Sequence, residues 1–255
     1  MGYFNVKFRP DMINGDTTQL VADNGDQAAF EDGDVLFDWH AIDIPKGSAR
    51  VQGITVVMNG SNGSRQTERD IQFVFAKSVN GVAPPTLGVV NATATALGTQ
   101  NHIIGAFVVD STVITRLDPY SVFGANAGSD PKNGMHLPVL EGEESTTQKG
   151  FQTIYVGGLA TGALNFDTNV KANGAIDASA DLANTIVVDT VDARKAFSVG
   201  DLVYALGTDT QIPGKVESVT DTLITFDTTN STVDVADNDE ILCATPIKII
   251  LHFED

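Results

Sequence analysis

Four histidines, 33 acidic residues and a single cysteine are the side chains with which this chain of 255 residues can do chemistry. His40 has the most suggestive surroundings. In Phe37-Asp38-Trp39-His40-Ala41-Ile42-Asp43, strand geometry places Asp38 and His40 on one face, an arrangement open to acid–base or metal chemistry. The same alternation also describes a plain polar stripe opposite Phe37 and Trp39. His40, His102, His136 and His252 show no metal-type spacing, and none belongs to a His-Glu-x-x-His pattern. The chain has no Gly-x-Ser-x-Gly elbow and no Gly-rich phosphate loop ending in Lys-Ser or Lys-Thr. Carboxylate pairs of the glycosidase kind arise by chance among so many acids, and nothing singles one out. We expect no catalytic residue and no cofactor.

Three acidic clusters have the composition of cation loops: Asp23-Asn24-Gly25-Asp26, Glu31-Asp32-Gly33-Asp34 and Asp237-Asn238-Asp239-Glu240. Calcium needs six to eight oxygens, and no cluster follows the twelve-residue loop that supplies them from fixed positions. Hairpin turns made of turn-forming residues are the commoner explanation, so no metal site is expected. Glu141-Gly142-Glu143-Glu144-Ser145 reads as a solvated loop tip or as a contact for a basic partner. Cys243 follows Ile241 and Leu242 and reads as a small buried hydrophobe.

The net charge is -18, with 15 Lys and Arg against 33 acids. Such a surface repels phosphate, so nucleic acid and anionic lipid are poor partners. Met1 to Lys7 lacks a basic region followed by an apolar run, and no apolar stretch approaches the roughly 20 residues of a membrane helix. The expectation is a protein made in a cytoplasm that stays soluble.

The elements that would hold these groups are strands. Runs rich in Val, Ile, Thr and Phe recur at 50–58, 70–77, 103–117, 151–156, 185–189, 201–206, 214–219, 222–227 and 246–253. Ile71, Phe73 and Phe75 share a face, as do Ile247, Ile249, Leu251 and Phe253. Asn-Gly pairs at 59–60, 62–63, 80–81 and elsewhere mark tight hairpins. Short helices are expected only at 118–123 and 192–197. Residues 169–181 are small and polar and read as a connection. Beyond them, five short strands in about sixty residues suggest a small barrel. The amphipathic last strand then needs a partner sheet. We therefore expect an all-β fold: an antiparallel β-sandwich of jelly-roll type over 1–171 plus 244–255. A small β-barrel-like module, 172–243, is inserted before the C-terminal strand.

Ala196-Phe197-Ser198-Val199-Gly200-Asp201-Leu202-Val203, Gly214-Lys215-Val216-Glu217-Ser218-Val219 and Ala236-Asp237-Asn238-Asp239-Glu240-Ile241 together resemble small β modules of tailed-phage virion proteins. The Asn-Gly hairpins and acidic balance are similar in style to structural proteins of marine tailed phages. The resemblance implies a non-enzymatic virion protein that decorates and stabilises a capsid through contacts with the major capsid protein. It also implies a homo-oligomer, most simply a trimer. The alternatives are a tail, baseplate or head-fibre component, or a carbohydrate-binding adhesin domain using Trp39. Tyr3, Phe4, Val6 and Phe8 are the expected subunit contact: either they pair as a strand with a neighbouring subunit, or they form the first strand of their own sheet.

Overall fold

The structure, a computed structural model, describes residues 2–13, 29–47, 49–65, 68–126, 139–140, 142–175, 184–206, 211–227 and 235–254. Among these the fold is all-β, with antiparallel sheets and one closed six-strand barrel. The only helical turn among the described residues is a 3-10 turn, Ala193–Lys195, capped by the Asp192 carboxylate accepting the Arg194 N–H.

The first sheet runs in the order β1 (Tyr3–Phe8), β17 (Ile247–Glu254), β3 (Ala49–Met58), β7 (Tyr120–Asn126) and β6 (Ile114–Leu117), with the short β8 (Val139–Leu140) also on β3. The second runs β2 (Phe30–Pro45), β10 (Phe151–Leu164), β4 (Ile71–Lys77) and β5 (Ile103–Val109), with β9 (Glu143–Glu144) also on β10. Period two decides which face goes inward. Ile247, Ile249, Leu251 and Phe253 of β17 are buried, as are Ile71, Phe73 and Phe75 of β4, and both sets belong to one hydrophobic cluster. Burying each such side chain contributes about 1.5–3 kcal/mol. Asn62-Gly63 and Asn80-Gly81 have positive φ at both residues, as two-residue hairpins require, and bridges Ser61–Ser64 and Val79–Val82 close them.

The barrel closes through β11 (Val170–Ala172), β12 (Thr185–Asp189), β15 (Leu223–Phe226), β14 (Gln211–Val219), β13 (Leu202–Leu206) and β16 (Glu240–Cys243). Its core holds Val188, Phe197, Val203, Ile224, Phe226 and Ile241. Two sequence expectations change here. Val170–Ala172, expected within a connection, is a barrel strand paired on both sides, so the barrel has six strands and starts at Val170. Residues 120–123, expected as helix, lie in β7, where 121–123 pair with β3 and Tyr120 with β6.

β13 and β16 are buried on both faces. Val203, Ala205, Ile241 and Cys243 point into the barrel, while Tyr204 and Leu242 join the cluster of the two sheets. A strand without a wet face reads as a continuous apolar run, and Leu202-Val203-Tyr204-Ala205-Leu206 is one. Polar contacts complete the seam. Asn59 Nδ2 donates to the Ala196 carbonyl at 2.9 Å, and the Tyr120 hydroxyl donates to the Arg194 carbonyl at 2.6 Å. Arg9, just beyond β1, forms an ion pair with Asp201, whose side chain is buried at the start of β13. The other Asp201 oxygen accepts the Ser198 N–H.

Removing one partner of a buried pair leaves an uncompensated charge. Arg9→Met is therefore expected to cost about 3–5 kcal/mol in urea unfolding. Close packing gives a second test. A Cβ on Gly158 of β10 would lie 2.3 Å from the ring of Phe37, which is itself fully buried. Gly158→Ala should cost roughly 1–3 kcal/mol by overpacking, read from the same unfolding curves.

Candidate functional site

β1 pairs antiparallel with β17 of its own chain, from Tyr3 opposite Glu254 to Phe8 opposite Ile249. Its expected contact residues divide by parity. Phe4, Val6 and Phe8 turn inward, Phe4 stacking on Phe253 with ring centroids 4.9 Å apart. Tyr3 turns outward and is 75% exposed. The structure thus makes β1 the edge strand of its own sheet. Its outer backbone edge has no strand partner among the described residues, and Asn5 and Lys7 flank it on the exposed face.

The edge of the second sheet is closed differently. The segment between β4 and β5 lies along β2: Val35 N–H donates to the Ala92 carbonyl at 3.0 Å, and Asn91 N–H donates to the Val35 carbonyl at 2.8 Å. Leu87 and Val90 are buried beneath it. This covers an edge that would otherwise invite pairing. The same segment leaves Val82, Val89 and Leu97 on the surface, Leu97 at 80% exposure.

The covering segment also accounts for the residues with chemical promise. Asp38 Oδ1 accepts the Leu87 N–H at 2.9 Å, and the Trp39 indole N–H donates to the Pro85 carbonyl at 2.6 Å. His40 instead stacks on Phe8, with centroids 4.7 Å apart. Burial holds the His40 pKa below its usual value, so the ring is neutral near pH 7. Asp38 and His40 therefore serve different neighbours. Trp39 is half-buried and tied to a loop, so it offers no open aromatic platform.

A hollow of about 530 Å³ opens on the outer face of the second sheet, lined by Asp43, Glu143, Tyr155 and several hydroxyls. Asp43 accepts from Ser145 Oγ, Thr147 Oγ1 and Thr153 Oγ1 at 2.7–2.9 Å. Desolvation works against its ionised form, but the hydroxyls of Thr153, Thr147 and Ser145 together outweigh it and hold the carboxyl below its usual pKa. Glu143 Oε2 accepts the Gly81 N–H, and Glu144 pairs with Lys46 at 3.3 Å. The acidic run is thus folded as β9 against β10 over its described part.

In the other described acidic clusters the carboxylates accept backbone N–H groups, from their own turn or from a neighbouring segment. Asp34 Oδ2 accepts the Glu31 N–H at 2.7 Å, Asp237 accepts from Gly174, and Asp239 accepts from Ala236. Residues 23–26, like His136, lie outside the described residues. Among the described residues, no group of three or more His, Cys, Asp or Glu is placed to hold a metal ion. Cys243 is buried in the barrel, and desolvation pushes its thiol up to about 11.

One pair was not legible from spacing. Glu240 of β16 meets Asp167, which lies buried on the path from β10 into the barrel. Asp167 Oδ1 accepts the Asn169 N–H at 2.7 Å, and its carbonyl accepts from Asn62. The two carboxyls share a hydrogen bond that needs a proton.

No known family model matches this chain, and no curated protein matches it in sequence. No helix among the described residues is long and apolar enough to cross a membrane.

Desolvation first, then the hydrogen bond and negative charge of Asp167, raise the Glu240 pKa from 4.5 to about 8. The folded state keeps this proton where the unfolded chain has lost it. Its contribution to stability is complete below pH 4.5 and disappears as pH rises through about 8. Unfolding free energy should fall between those limits, and Glu240→Gln should flatten that slope in urea titrations run at several pH values.

Proposed function

We propose that this chain is a structural protein of a tailed-phage particle that decorates and stabilises the capsid through protein–protein contacts. The observation that carries the reading is the order of strand pairing. Leaving aside the short β6, β8 and β9, the body pairs β1 with β17, β2 with β10, β3 with β7 and β4 with β5. These are nested pairs, first with last and inward to the middle. Two further pairings, β17 with β3 and β10 with β4, roll them into two four-stranded layers. This nested order supports reading the body as a jelly-roll sandwich, an architecture used by viral capsid and lectin domains. The barrel occupies the connection between the seventh and eighth strands, which suits a module projecting from a rigid base.

In this reading the working surfaces are the outer edge of β1 and the segment that covers β2. Val82, Val89 and Leu97 supply exposed apolar area, and the partner is the major capsid protein or another virion protein. Binding only the assembled lattice stabilises it by mass action. Trimerisation, with the chain as a homo-oligomer, would multiply the contacts through avidity.

A second reading rests on the hollow with Asp43, Glu143 and Tyr155. Carboxylates, hydroxyls and one aromatic ring are the groups that hold a sugar, which suits an adhesin domain at a tail, baseplate or head fibre.

Immunogold labelling of native particles with an antibody to the barrel should mark heads in many copies. Label confined to tails would reject decoration. On heads stripped of the protein, Val89→Asp/Leu97→Asp should bind at least tenfold more weakly than the unaltered chain in co-sedimentation. A glycan-array signal abolished by Tyr155→Ala would favour the adhesin instead.

A further inference from the structure

A cleft of about 520 Å³ lies where the end of β1 and strand β17 meet the barrel. Seams between modules are common places for ligand sites, and this volume is in their usual range. Its walls invert the charge of the protein. Lys7 comes from β1, Lys248 from β17 and Lys215 from β14. Arg9 stands behind them, already neutralised by Asp201. Asp11 is the only acid among the described residues on the walls, and its Oδ1 accepts the Ile13 N–H at 2.9 Å.

The three lysines have no ion-pair partner among the described residues. Lys46, Arg65, Arg116 and Arg194 pair with nearby carboxylates, but several other surface cations do not, so what sets these three lysines apart is that they line one cleft. In a chain with 33 acids, three lysines from three separate strands line one concave surface. Concave low-dielectric walls focus such a field. Phe8 and Leu202 add apolar wall, and the ring of His40, stacked on Phe8, adds a hydrogen-bonding edge.

We propose that this cleft binds a compact ligand bearing two or more oxyanion groups, held by Lys7, Lys215 and Lys248. Compactness follows from the net charge of -18. An extended polyanion would run from the cleft onto acidic surface and be repelled there. Carboxylate, phosphate and sulfate groups share the chemistry the lysines read. The inference stands apart from the particle reading, because it rests on the cleft alone.

Isothermal titration of the full chain with citrate, pyrophosphate and a disulfated disaccharide tests it, and the tightest of the three names the source of the oxyanion. At least one should bind with 1:1 stoichiometry and weaken as salt rises. Lys215→Gln/Lys248→Gln and, separately, Lys7→Gln should each weaken that binding about tenfold or more, in line with lost charge-assisted hydrogen bonds. The melting temperature should stay unchanged, since among the described residues these lysines form no ion pair. Absence of binding by all three probes would overturn the proposal. So would binding indifferent to the lysine changes, or a short DNA duplex binding as tightly as the compact anions.

Discussion

The two-sided burial of β13 and β16 holds this molecule together. Each strand gives alternate side chains to two different cores: Val203 and Ile241 to the barrel, Tyr204 and Leu242 to the sheets. Neither core is complete without the same two strands. The barrel is therefore fixed to its base through shared backbone and cannot swing as a tethered domain would. Arg9 and Asp201 add a charge pair at the same seam, placed where separation would strand a buried carboxylate.

That seam explains the placement of the chemistry around it. The cleft lies beside that seam, walled by β1, β17 and the barrel. The Glu240–Asp167 pair sits where the chain crosses from one unit to the other, so its protonation acts on the connection. The segment over β2 performs the matching task on the far sheet. It closes one edge with backbone hydrogen bonds and leaves apolar side chains on its outer side.

Much of the fold was legible because period two is a local signal. Ile247, Ile249, Leu251 and Phe253 announced both their strand and the face it buries, and the Asn-Gly pairs at 62–63 and 80–81 announced their turns. The failures have physical causes too. Val170–Ala172 is only three residues long and is held by pairing on both sides, so its own composition says little. Asp118-Pro119 mimics the start of a helix, whereas pairing with β3 decides the conformation of β7. β2 was obscured because the acids Glu31, Asp32, Asp34 and Asp38 interrupt its apolar residues. The candidate sites were the least legible. Lys7, Lys215 and Lys248 lie near the start, late and last parts of the chain, and only the fold brings them together. Conversely, Asp38 and His40 were close in sequence and yet serve different neighbours.

The position of β17 between β1 and β3 sets an order of events during synthesis. The barrel is built from one contiguous stretch and can close as soon as residue 243 is available. The first sheet cannot, because its inner strand β17 is made afterwards. Until then β1 and β3 lack the neighbour that separates them, and the inner faces of Phe4, Ile54 and Val56 have only part of their covering. The nascent chain thus carries a finished barrel before it has a finished base. A ribosome that stalls or stops just beyond the barrel would release exposed strand edges, the kind of surface that aggregates and engages chaperones.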